Sequence, residues 1–238
     1  MRNLGKIVAH IPARAGSKRV KAKNLRFIDG KPLLSYSIEC AIAADMFDEV
    51  YVNSDSDDML ALAESLGAKG YKRSEELASD TASGDEFTYD FIKTMHPDTL
   101  VMISPVCPLI TAEEVKAALE LFSKSDCDTL ITCESTQMQT FCEGSAVNID
   151  LSGQLAPTQE NPVVQILNWA VTVWDAKIFV ENFEKYGSAY IGKKRELLSI
   201  DPIRAVKISK ESDFELAESL LKSQKLTKNS EIKYWTKS

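Results

Sequence analysis

The sequence predicts an α/β protein built on a mostly parallel sheet with helices on both faces. Three observations lead there. Strand-like and helix-like stretches alternate along the chain, the pattern of a parallel sheet covered on both sides. The 238 residues are 44% apolar, enough for a substantial core in one domain spanning 1–238. A basic, glycine-containing loop follows an apolar first strand, the place where α/β proteins bind phosphates.

Residues 6–11 read as that first strand, buried on both faces. Residues 32–47 read as a helix, with Pro32 suited to its first turn. A strand at 49–53 precedes a helix at 57–66, which Gly67 ends. A short strand near 70–72, a helix near 84–94 and a strand at 99–104 follow. Thr111 and Glu114 have capping-box spacing at the start of the next helix, and 129–133 returns to strand. Between about 134 and 165 the rhythm breaks. That polar segment contains Gly144, Gly153, Pro157, Pro162 and an alternating piece at 145–151, and it reads as a β-hairpin excursion, a lid or a dimer arm. Order resumes with a strand at 170–174, a helix at 176–186, a strand at 205–208 and a helix at 212–222, where Ser212 and Glu215 form a second capping-box pair. Residues 224–238 form a charged tail.

The net charge is −7 and the isoelectric point about 5.1, which argues against a general nucleic-acid binder. The N-terminus lacks the apolar core of a signal peptide, and no apolar run approaches the length of a membrane span. Five scattered cysteines without a C-x-x-C pair read as buried, reduced thiols of a cytoplasmic protein.

Within this acidic chain, Arg14, Lys18, Arg19, Lys21, Lys23, Arg26 and Lys31 face a single acid, Asp29, over residues 11–31. A small polyphosphate such as a nucleoside triphosphate is the expected partner. Arginine presents fixed donors matched to phosphate oxygens, which suits Arg14. Gly16 lets backbone approach a ligand, Ser17 adds a hydroxyl, and Lys18 and Lys23 can neutralise a pyrophosphate leaving group. Asn24 supplies an amide for a base or ribose. The spacing matches neither the Walker loop nor the dinucleotide fingerprint. A second stretch, Arg73 to Gly84, carries one arginine and many hydroxyls. Thr81 and Ser83 there read either as helix caps or as a second wall of the nucleotide pocket. His10 reads as core and His96 as a loop residue. Trp169 either plugs a pocket or packs the core, and Tyr36 belongs to a core face.

Ile11-Pro-Ala-Arg-x-Gly-Ser-Lys, Lys23-Asn24, Gly30-Lys-Pro-Leu33, Ser54-Asp55 and Glu76-Leu-Ala-x-Asp-Thr-Ala-Ser83, in this order and at these separations, resemble the acylneuraminate cytidylyltransferases. The resemblance covers residues 6–111 well. It continues more weakly through Pro105-x-x-Pro-Leu-x-Thr111 and Asp213-Phe-x-x-Ala-Glu218. It implies a Rossmann-like nucleotidyltransferase fold, a homodimer held by a β-hairpin arm, and the activation of a 2-keto-3-deoxy acid sugar by CTP. It also implies that Ala13, Arg14, Gly16, Ser17, Lys18, Lys23, Asn24, Arg73, Thr81 and Ser83 serve the nucleotide, with Arg14 and Lys23 catalytic. Ser104, Asn168 and Lys207 fall at substrate-side positions.

The chain departs from the family pattern at three places. Ser104-Pro-Val-Cys-Pro-Leu-Ile-Thr111 stands where the family has Gln-Pro-Thr-Ser-Pro-Leu-Arg-Thr. Ile166-Leu-Asn-Trp-Ala170 stands where the family has Arg-Pro-Asn-Gly-Ala, losing a cation suited to a sugar carboxylate. Mg²⁺ is expected from the resemblance, yet Lys207 and Ser209 occupy the positions of the two carboxylates that hold it. Lys207 reads either as a surface lysine or as a substitute for the metal's charge. Asp213 reads as a first-turn residue of the last helix, and Asp201 is the other nearby carboxylate. Two further readings therefore stay open: a non-catalytic nucleotide-binding homologue, and a nucleotidyltransferase for a neutral or phosphorylated sugar.

Overall fold

Strand β1 (Ile7–Pro12) places Val8 and His10 on one face and Ala9 and Ile11 on the other, and all four are buried. A strand with two buried faces belongs in the middle of a covered sheet. The computed structural model, which describes residues 1–17, 19–224 and 235, puts β1 there. It pairs in parallel with β4 (Glu49–Ser54) and with β6 (Thr99–Ile103). The full order is β11-β7-β10-β6-β1-β4-β5, with β5 at Lys69–Lys72, β7 at Thr129–Thr136, β10 at Val164–Asp175 and β11 at Arg195–Ser199. Only β10 runs against its neighbours β6 and β7.

The alternation along β1 sorts the core into two layers. Ala9 and Ile11 join a cluster with residues of α1 (Leu33–Ala44), α2 (Asp57–Ser65) and α4 (Ala112–Lys124), including Leu34, Ile38, Met59, Leu119 and Phe122. Val8 packs on the opposite face with Phe91 of α3 (Gly84–Met95) and Phe179 of α5 (Ala176–Tyr186), beside Trp174. Full burial of a side chain such as Leu34 or Phe91 contributes about 2 kcal/mol. His10 stacks on Phe91 at 4.4 Å and meets Asn53 Nδ2 through Nε2 at 3.0 Å, so it is a core residue, as expected. A third cluster packs α6 (Glu211–Gln224) onto Ile28 and Leu33, beside the small hairpin of β2 (Phe27–Ile28) and β3 (Lys31–Pro32).

The alternating elements agree with the sequence reading to within a few residues at most ends. Thr111 and Glu114 form the expected capping box. Four expectations need correction. The strand expected at 205–208 is absent. Its Ile208 N–H donates instead to Val106 O at 2.9 Å, and the edge position beside β7 belongs to β11, which was not anticipated. Ser212 does not cap α6. Asp213 Oδ2 accepts from Ser209 N and Lys210 N at 2.9 and 3.0 Å, closing that turn. The excursion is a ribbon of β7 and β10, but the piece at 145–151 adds only β9 (Ser145–Ala146), paired with β8 (Phe141–Cys142). Cys142 is exposed, whereas the other four cysteines are buried.

Strand β10 is broken by a shift of register between Leu167 and Thr172. Trp169 sits in that shift with φ 59°, a left-handed conformation that costs a bulky residue on the order of 1–2 kcal/mol. Asn168 Oδ1 holds the bulge by accepting from Thr132 Oγ1 at 2.7 Å and Ala170 N at 3.1 Å.

Candidate functional site

In an open parallel sheet, loops leaving the carboxyl ends of strands on either side of a switch in strand order leave a crevice. Here the chain builds β1, β4 and β5 in one direction and then returns to place β6 on the other side of β1. A cavity of about 640 Å³ opens at that point, bordered by Arg14, Gly16, Ser17, Arg19, Lys23, Asn24, Ser104, Trp169, Tyr190 and Lys207. A larger hollow of about 850 Å³ lies at the amino ends of β1 and β6, beside Gly5, His96 and Asp98. Its cations Arg2, Lys93 and Lys177 are matched by Asp98, Asp175 and Glu181, so no surplus positive charge gathers there, and we take the carboxyl-end cavity as the site.

The loop after β1 is tied down by backbone bonds. Ala13 N donates to Asn53 O at 3.0 Å, Ala15 N to Asp55 Oδ1 at 2.9 Å, and Ser17 N to Ala15 O at 2.8 Å. A Cβ at Gly16 would meet nothing within 4 Å, so the space above that backbone is open to a ligand. Arg14 reaches the 73–83 stretch, where Nη1 donates to Ser79 O and Nη2 pairs with Asp80, each at 3.0 Å. A shallower depression of about 430 Å³ lies across the same turn, between Gly16 and Ser17 on one side and Ala78 and Ser79 on the other. The two stretches of the sequence motif therefore face each other.

Asn24 is 4% exposed, and its Nδ2 donates to Arg14 O at 3.3 Å. Its Oδ1 is buried without a partner, an acceptor left over for a ligand's hydroxyl or amine. Lys23 Nζ donates to Ile208 O at 3.0 Å. Burial pushes the Lys23 ammonium below the usual lysine range, and the positive charges of Arg19, Lys207 and Arg14 push it further. A bound polyanion would reverse that second influence.

Of the residues expected to serve a ligand, Arg14, Gly16, Ser17, Lys23, Asn24, Ser104 and Lys207 line this one cavity. Lys18 lies outside the described residues. Ala13 is buried in the core cluster. Arg73 is also buried, donating to Asn53 Oδ1 at 2.7 Å and Asn53 O at 3.0 Å, with its guanidinium 4.3 Å from the Phe87 ring centre. Ser83 is the N-cap of α3, in a capping box with Glu86, and Thr81 Oγ1 meets Ser79 Oγ at 3.1 Å. Asn168 Oδ1 is taken up by the bulge, whereas its Nδ2 is buried without a partner. The sequence reading passed over Arg19 and Tyr190. Arg19 lay in the basic run and was detectable. Tyr190 reaches the cavity only because the chain folds back after α5, and nothing local in the sequence announces it.

A second cavity of about 570 Å³ shares Trp169 and Tyr190 with the first and adds Asp85, Asn182 and Lys193. The two rings are 5.3 Å apart and form the wall between the cavities.

Magnesium prefers oxygen ligands, carboxylates above all. Among the described residues no Asp or Glu lines the 640 Å³ cavity, and no three His, Cys, Asp or Glu side chains gather where they could hold a metal ion. Lys207 adds a positive charge to that lining. This donor set does not fit Mg²⁺.

Comparison with known proteins agrees with the geometry. The sequence model of the cytidylyltransferase family matches residues 8–232. The chain is 31% identical over 226 residues to an N-acylneuraminate cytidylyltransferase of Escherichia coli O18:K1:H7, covering 89% of this chain and 51% of that one. It therefore spans about half the length of that relative. It is 28% identical over 232 residues to a CMP-N,N'-diacetyllegionaminic acid synthase of Legionella pneumophila, covering 91% of this chain and 96% of that one. Among solved structures, CMP:2-keto-3-deoxy-manno-octonic acid synthetase complexed with CTP superposes with a TM-score of 0.69. The match has 15% identity and covers 93% of this chain and all of that one, a likeness of fold.

Proposed function

The chain belongs to the cytidylyltransferase family, and on that premise we propose that it joins CTP to a 2-keto-3-deoxy acid sugar of the nonulosonate type, giving CMP-sugar and pyrophosphate. The observation that carries the reading is a single cavity at the strand switch where Arg14, Arg19, Lys23 and Lys207 converge in a chain of net charge −7. In this reaction the sugar's anomeric oxygen bonds to the α-phosphorus. The bond to the bridging β-phosphate oxygen breaks, its electron pair leaves with pyrophosphate, and the hydroxyl proton passes to solvent. No covalent enzyme intermediate is required, so positioning and charge neutralisation supply the catalysis. Arg14 and Lys23 hold the phosphates, Asn24 Oδ1 accepts from the nucleoside, and the cavity beyond Trp169 receives the sugar. Incubating the protein with CTP, Mg²⁺ and a panel of nonulosonic and octulosonic acids tests this, with pyrophosphate release as the readout. No release from any of them overturns it.

The missing carboxylates favour one other reading, a homologue that binds CTP without turnover. It predicts that CTP raises the melting temperature while the same panel stays silent.

Association into a homodimer is part of the proposal. Met138, Phe141, Val147, Leu151, Leu155, Val163 and Ile166 are each about half exposed or more, and all fall in or beside the excursion. Such a concentration of apolar surface supports an interface. Sedimentation analysis should give a dimer that Leu155→Asp weakens; a wild-type monomer at micromolar concentration would refute it. The reading treats 1–238 as one domain, in keeping with a sheet whose strands come from Ile7 to Ser199. Free thiols and a CTP substrate support a cytoplasmic location. No helix among the described residues is long and apolar enough to cross a membrane.

A further inference from the structure

The segment around Lys207 is fixed from two sides. Ile208 N donates to Val106 O at 2.9 Å, and Ile208 O accepts from Lys23 Nζ at 3.0 Å. Ile208 itself is fully buried against α6, while Lys207 is exposed on the cavity. Its ammonium thus joins Arg14, Arg19 and Lys23 on a surface with no acid among its described lining residues. The nearest aspartates have other work. Asp55 accepts from Ala15 N, Asp80 pairs with Arg14, and Asp213 holds the turn at Ser209. A triphosphate carries about four negative charges once its terminal group, with a pKa of about 6, is ionised. Four cations border the cavity against that charge, one of them, Arg14, also paired with Asp80.

Resting on the reading above, we propose that Lys207 supplies the counter-charge that a protein-held divalent ion would otherwise bring, so that this site binds CTP without metal. The physical reason is placement. A carboxylate at this position would be repelled by the triphosphate unless a cation bridged them. A lysine needs no bridge, and a dication approaching it is opposed by the ammonium. Lys23, anchored one residue along at Ile208 O, would share the same phosphate oxygens. Any magnesium in the complex would then be held by the nucleotide and water.

Titration calorimetry of CTP into the intact protein tests this, once with EDTA and once with excess Mg²⁺, for wild type, Lys207→Met and Lys207→Asp. Lys207 is exposed, so both variants should fold, as circular dichroism would verify. Wild type should bind in EDTA within about threefold of its affinity in Mg²⁺. Lys207→Met should lose about tenfold or more in EDTA, the worth of one charge-assisted contact. Lys207→Asp should bind measurably only when Mg²⁺ is present. Wild-type binding that weakens about tenfold or more on chelation overturns the inference, as does Lys207→Met binding at wild-type strength. CTP that binds under neither condition removes the nucleotide reading itself, a distinct result.

Discussion

Replacing Arg73 by methionine tests whether this buried arginine anchors the site or touches the nucleotide. Burial holds its guanidinium down at about 10, which corresponds to roughly 3 kcal/mol against the charged form. Two charge-assisted bonds to Asn53, at about 1.5–3 kcal/mol each, and a ring contact worth about 1 kcal/mol outweigh that cost. Methionine fills similar space without a charge to desolvate. It leaves Asn53 Oδ1 without its donor, a loss of about 1–3 kcal/mol, whereas Asn53 O keeps Ala13 N. We therefore expect Arg73→Met to cost about 2 kcal/mol, lowering the urea midpoint by about 0.7 M for a slope near 3 kcal/mol/M. An unchanged or raised midpoint would refute the anchoring role. If Arg73 contacted the nucleotide instead, CTP affinity would drop by about tenfold while the nucleotide-free midpoint held.

Arg14→Ala should reduce turnover by about a hundredfold or more, as loss of a phosphate-holding charge does, while stability measured by urea falls by no more than about 1 kcal/mol, because its ion pair with Asp80 is exposed and its bond to Ser79 O only part-buried. CTP affinity should decline as pH rises through a value below the ordinary lysine range. Free Lys23 is depressed by burial and neighbouring cations, the polyanion favours its charged form, and affinity is full only where the free side chain already holds its proton. Calorimetry across pH checks this, and Lys23→Met should flatten the profile. Ser83→Ala should cost about 1 kcal/mol of stability through loss of the α3 cap, seen in the unfolding midpoint. Trp169→Gly should change the acid-sugar KM more than the CTP KM, because the indole separates the two cavities; equal effects on both would count against it.

Much of this architecture was legible because local chemistry and tertiary placement agree. The apolar run at β1, Ser54–Asp55 at the end of β4 and the Thr111 capping box each perform where they stand what their neighbours along the chain suggest. The basic run was legible for the same reason, since a loop leaving a central strand has one place to go. What escaped depended on contacts distant in sequence. Val206-Lys-Ile208 alternates like a strand, but β11 already holds the edge and the segment serves the 104–107 loop instead. Arg73 donates to Asn53, 20 residues away, a contact that no local pattern announces. Asn168 faces Thr132 across a bulge that the pattern of β10 does not betray.

Trp169 holds its left-handed turn at an energetic cost, and the codons TGG and GGG differ by one base. A lineage can therefore exchange this indole for glycine in a single mutational step, merging the two chambers as the backbone relaxes. The division between the two cavities is thus open to change at one position, with the basic loop after β1 left untouched.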